Sequence, residues 1–188
     1  MNEKNIFVQQ TKIKKMENQT SSKSFMVNNG VILGIISVLF SLILYATGNH
    51  LPPHWSASVA SLIVTIACIV LATKQFKAAN SGFLSWGQGV KIGVGVAIVG
   101  GLIVVIYNYL FANFIEPDYM AQIMEIQSQT YLDGGMTEEQ IEAANEMTAS
   151  FSSPGIMAAV GIVTSAIFGF IIAAITSAIM KKSEEETY

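Results

Sequence analysis

Four stretches of this chain stay apolar for long enough to cross a lipid bilayer, and the polar residues collect between them. A hydrocarbon core about 30 Å thick needs roughly 20 apolar residues rising about 1.5 Å each. The stretches that meet this requirement are residues 28–47, 55–73, 90–111 and 156–180. Apart from Lys91 at the edge of the third, none holds an Asp, Glu, Lys or His. The pattern predicts an all-α, polytopic membrane protein with four transmembrane helices over residues 28–182. A leader at 1–27, rich in Lys, Asn, Gln and Ser, is expected to be disordered, and 183–188 is a short polar tail. The alternative of four buried helices in a soluble protein would leave too little polar face for water.

Residues 112–155 are the one substantial polar segment between spans. Pro117 opens a stretch, DYMAQIMEIQSQTYL, that reads as a helix, and Asp133-Gly-Gly breaks it. Thr137 and Gln140 have the spacing of a capping box for a second helix ending near Phe151. Met120, Ile123, Met124 and Tyr131 of the first are expected to face Ile141, Ala144 and Phe151 of the second. The prediction is an amphipathic helical hairpin between spans three and four whose apolar face needs cover.

Charge gives the spans a direction. Lys4, Lys12, Lys14, Lys15 and Lys23 precede span one; Lys74, Lys77 and Lys91 lie between spans two and three; Lys181 and Lys182 follow span four. The other two loops contain no lysine, and the chain has no arginine. Lysine is retained on the cytoplasmic side, so both termini and the middle loop are expected there and the hairpin outside. The hairpin carries Glu116, Asp118, Glu125, Asp133, Glu138, Glu139, Glu142 and Glu146 with no cation. Trp55 and Trp86 fall at span edges, where indole rings favour the headgroup region. Apolar residues make up 52% and charged residues 12% of the chain, about half the usual charged share, as expected of a surface facing lipid.

Small residues recur every fourth position on two spans: Gly89, Gly93, Ala97 and Gly101 on the third, and Gly161, Ser165, Gly169, Ala173 and Ser177 on the fourth. Such ridges allow close backbone approach between helices in lipid, and they predict packing of these spans on each other or across a subunit boundary.

Candidate chemistry is sparse. The lone Cys68 sits in an apolar run and excludes a disulfide within one chain. His50 and His54 flank Pro52-Pro53, which argues against a shared helical face for zinc. The Asp133-Gly-Gly turn lacks the alternating oxygens of an EF-hand, and hydrophobic packing outweighs copper binding for Met120 and Met124. GQGVKIGVG lacks the GKS or GKT ending of a phosphate loop. Absence of arginine weighs against nucleic-acid recognition. No cofactor, metal or catalytic set is expected.

The middle loop Lys74-Gln-Phe-Lys77, then Asn80-Ser-Gly82-Phe-Leu-Ser-Trp86-Gly-Gln88-Gly, is followed by Ile106-Tyr107-Asn-Tyr109, Asn113-Phe-Ile115-Glu-Pro117-Asp118-Tyr and Gly135-Met-Thr-Glu-Glu-Gln-Ile141-Glu. In this order around these spans, the motifs resemble the bacterial membrane family known as domain of unknown function 4199, over residues 28–182. The resemblance implies a small multi-pass protein and brings no reaction, cofactor or binding residue. The expectation is therefore a non-enzymatic inner-membrane protein that acts by homo-oligomeric assembly or by binding an extracytoplasmic protein. Glu138, Glu139, Glu142 and Glu146 are its candidate contact residues. The alternative is a small transporter or channel formed between protomers and lined by Thr164, Ser165 and Ser177.

Overall fold

The computed structural model describes the backbone of residues 3–182 and the side chains of residues 22–182. The described residues form six α-helices: α1 (Glu3–Ala46), α2 (Trp55–Ala79), α3 (Trp86–Leu110), α4 (Tyr119–Asp133), α5 (Glu138–Phe151) and α6 (Pro154–Met180). A π-helical turn at Phe111–Ile115 continues α3, and no strand occurs among the described residues. Among the described residues four segments are long and apolar enough to cross a membrane: Ser22–Ala46, Trp55–Ala79, Trp86–Ile115 and Pro154–Met180. Each is longer than its apolar core because polar and aromatic residues at the ends continue the helix.

The backbone of the leader is helical from Glu3 and runs without interruption into the first span. No Gly or Pro occurs before Gly30, so nothing in the covalent chain stops a helix already nucleated by the span from extending backwards. The side chains of Lys4, Lys12, Lys14 and Lys15, and the tail 183–188, lie outside the described residues.

Helix starts follow local chemistry. Ser85 and Gln88 form a reciprocal capping box at α3, and Thr137 and Gln140 form another at α5. Ser153 caps α6, where Pro154 occupies a first-turn position that needs no N–H. Between α4 and α5 the backbone turns at Gly135 with φ +84°, a conformation that side chains resist.

The helix α3 is the axis of the bundle. It packs against α1 running parallel and α6 running antiparallel, while α2 closes the bundle against α1, α3 and α6. Large apolar side chains on the outer faces stay exposed, including Leu39, Ile43, Leu62, Ile63, Ile106, Ile167 and Ile175. In water this surface would be costly; against lipid tails it is matched to its surroundings.

The helix directions give the bundle two ends. The described lysines, Lys23, Lys74, Lys77, Lys91, Lys181 and Lys182, gather at the end holding the α2–α3 turn. The other end holds the α1–α2 loop, α4 and α5, and no lysine. At the lysine end Leu84 and Lys182 exchange backbone hydrogen bonds of 2.9 Å, and Lys77 Nζ donates to the Met180 carbonyl at 2.8 Å. The second of these places a cation on the carbonyl-rich end of α6, where the helix dipole favours it.

Candidate functional site at the lysine-free end

Sequence-predicted contact residues fall in two places. The first is the α3–α6 interface, where the two small-residue ridges meet in antiparallel register. A methyl built on Gly89 would run into Ser177, one on Gly93 into Ala173, and one on Gly169 into Ala97. A methyl on Gly101 would meet Ser165 Oγ at 2.5 Å, whereas one on Gly161 would meet only Val105 Cγ2, at 3.1 Å. The ridges therefore pack within one chain and bring the two backbones together most closely toward the lysine end. A further close approach joins α1 to α3, where Gly30 and Gly34 lie against Val99 and Ile103. Its signal was present as Gly30-Val-Ile-Leu-Gly34, the small-xxx-small spacing of helix contacts in lipid.

The second place is the α4–α5 pair. Asn145 Nδ2 donates to Ser128 Oγ at 2.9 Å and ties the helices together, and Ile141 is buried between them. Phe151, expected on the inner face, is instead exposed. Beside the contact runs an open groove of about 450 Å³. Its apolar surface comes from Met124 and Leu132 of α4 and Ile141 and Ala149 of α5. Glu138, Glu142 and Glu146 border it, and Glu139, one position round the helix, does not.

A cluster not foreseen in the sequence seats α4 on the bundle. His50, in the α1–α2 loop, places Nε2 2.8 Å from Glu116 Oε2, and Gln122 Nε2 donates to Glu116 Oε1 at 2.9 Å. The contact is an ion pair when the imidazole is protonated and a hydrogen bond when it is neutral. Aromatic rings enclose it: Tyr119 stacks along His50, while Tyr45 and Phe111 meet the imidazole edge-on. The π-helical turn brings Phe111 and Glu116 to this position, with the Glu116 N–H donating to the Phe111 carbonyl at 2.9 Å. Burial pushes the Tyr119 phenol above its ordinary value, with the nearby Glu116 carboxylate and Tyr107 adding to the shift. His50 Nδ1 and Tyr107 Oη are buried without a hydrogen-bond partner. The available signal was a histidine in the α1–α2 loop and an acid-rich segment after span three, but a separation of 66 residues hides the pairing from local patterns.

His54 does something different. Its Nδ1 accepts from the Ser56 N–H and caps α2, so the two histidines do not converge. Among the described residues no three of His, Cys, Asp and Glu come together as a group able to hold a metal ion.

Within the membrane-crossing region a cavity of about 220 Å³ opens between α1, α2, α3 and α6. Ser37, Thr65, Thr164 and Ser165 contribute hydroxyls to its lining, alongside Leu33, Val104 and Phe168. Ser37, Thr65 and Ser165 each donate to a carbonyl one turn back on their own helix. Ser177 takes no part in this cavity; it is fully buried against Gly89.

No curated protein and no solved structure matches the chain. Residues 28–182, which hold all four apolar spans from near the start of the first together with the α4–α5 pair, match the family described as "Protein of unknown function (DUF4199)", and the chain belongs to that family.

Proposed function

We propose that this is a non-enzymatic, multi-pass protein of the bacterial inner membrane that works by assembly or partner binding through α4 and α5. In this reading both termini face the cytoplasm and the α4–α5 hairpin stands outside. The orientation rests on the lysines, which gather at one end of the bundle while the loops at the other have none. The function rests on one observation: the α4–α5 groove has an apolar floor and a carboxylate rim, and no element among the described residues covers it. Apolar surface left open beside a polar rim is the usual form of a docking site. A tag inserted at Asp133 tests the orientation and should be labelled only from outside the cell. Chemical cross-linking in native membranes tests the function and should give a discrete product larger than the monomer. Cytosolic labelling, or monomer alone, would overturn the corresponding half of the proposal.

The hydroxyl-lined cavity favours a second reading, a small transporter or channel. The cavity lies inside one chain rather than between protomers, and it includes Thr164 and Ser165 but not Ser177. Solute or ion flux in proteoliposomes that is abolished by Ser165→Leu would support this reading, and flux equal to that of empty vesicles would remove it.

A further inference from the structure

The occupant of the α4–α5 groove can be specified by its chemistry. Its floor is apolar, with Ile141 buried at the bottom and Met124 and Leu132 along the α4 wall. The opposite rim is a row of carboxylates from Glu138, Glu142 and Glu146, four residues apart on one helix and therefore about 6 Å apart along the groove. No lysine occurs between Lys91 and Lys181, so the hairpin brings no cation to this rim. The one ion pair among the described residues is His50–Glu116, which lies outside the groove.

Charge disfavours two ready occupants. A second copy would present the same carboxylate row and set like charges against each other. A bilayer surface carrying anionic headgroups would likewise repel the rim. The complementary surface is cationic along one edge and apolar next to it. An extended strand throws alternate side chains to opposite faces, whereas floor and rim here adjoin; a helix can place a charged row directly beside an apolar stripe. The α5 helix has 14 residues and is about 21 Å long, enough to seat three or four turns.

We infer that the groove receives an amphipathic helix of another polypeptide, with lysine or arginine at every fourth position along the edge of its apolar stripe. This inference rests on reading the hairpin as a partner-binding element, and it adds the partner's chemistry. The binding mode is a helix laid in a groove, anchored by apolar side chains and registered by three charge pairs.

The test uses the full chain in nanodiscs of zwitterionic lipid. The probe is a fluorescent helical peptide with a leucine stripe flanked by three lysines four residues apart, and the control has glutamines in place of the lysines. The lysine peptide should bind, weaken with added salt, and lose about tenfold in affinity against the triple variant Glu138→Gln, Glu142→Gln, Glu146→Gln. The Glu139→Gln variant, altered beside the groove, should bind as the wild type does. Equal binding of both peptides, or no change in the triple variant, would overturn the inference. A photo-cross-linker at Leu132 in native membranes separates the two levels. A polypeptide adduct with no affinity for the lysine peptide overturns the basic helix alone. Lipid adducts only, or a product of twice the chain's mass, overturn a foreign protein partner and the basic helix with it.

Discussion

The two halves of the bundle are built from the same kinds of residue and packed to different standards. Toward the lysine end lie all the largest fully buried side chains: Phe76, Ile69, Leu84, Ile92, Val96, Thr73 and Ser177. Buried Asn29 joins α1 to α2 there by donating to Gln75 at 2.8 Å, and Lys77 and Lys182 tie α6 to the α2–α3 region. The lysine-free half has few buried residues, Phe111 and Ala57 among them, with a cavity at mid-depth and an open groove beyond. In lipid there is no hydrophobic drive between helices, so close packing has to come from shape. Small residues supply that shape at the lysine end. At the other end the described residues leave apolar surface and carboxylates open, the surface that the proposed partner would complete.

The comparison breaks first on glycine. Gly93→Val pushes a branched side chain into Ala173 and Ile69 and should destabilise the fold by about 3 kcal/mol or more. The same change at Gly161, facing only Val105, should cost about 1 kcal/mol or less. Unfolding in mixed detergent, followed by circular dichroism, measures both; equal losses would mean the two halves are packed alike.

Truncation of aromatic side chains gives the next effect. Phe76, which meets Phe25 edge-on at 6.2 Å, should lose about 3 kcal/mol on replacement by alanine. Phe151→Ala, at the exposed end of α5, should stay within about 0.5 kcal/mol. A smaller change is expected from His50→Ala, which leaves Glu116 without its imidazole partner at a cost of about 1 kcal/mol. Its signature is local. Amide exchange should speed up in α4 while α3 and α6 keep their protection; uniform acceleration would show that the cluster supports the whole bundle rather than seating the hairpin.

The smallest effect is a pH response. The Tyr119 phenol holds its proton above the usual tyrosine range because it is partly buried and close to Glu116. The stability linked to this group is fully present below the phenol's unfolded value and is lost as pH rises through the raised folded one. Ultraviolet titration should show a late-ionising tyrosine component that Tyr119→Phe removes. A profile unchanged by that substitution would place the late phenol elsewhere.

Much of the architecture was legible because lipid imposes long apolar runs and lysine marks their ends. The Thr137–Gln140 capping box was also readable, being fixed within one turn. The ridges were visible as a spacing, but spacing alone left open whether they met within a chain; helix order and direction decided that. The His50–Glu116 cluster was not readable, because it depends on a π-helical turn that brings Glu116 and Tyr119 against the α1–α2 loop. The groove was half readable. Four glutamates were evident, yet which of them border it depends on how α5 rolls against α4, and Glu139 falls outside by that rotation.

The most direct test of the contrast is a photo-cross-linking scan in native membranes, with probes at Leu132 in the groove and at exposed Leu71 on the lysine half. The account predicts a discrete protein adduct from Leu132 and lipid adducts alone from Leu71. A protein adduct from Leu71 with none from Leu132 would contradict it.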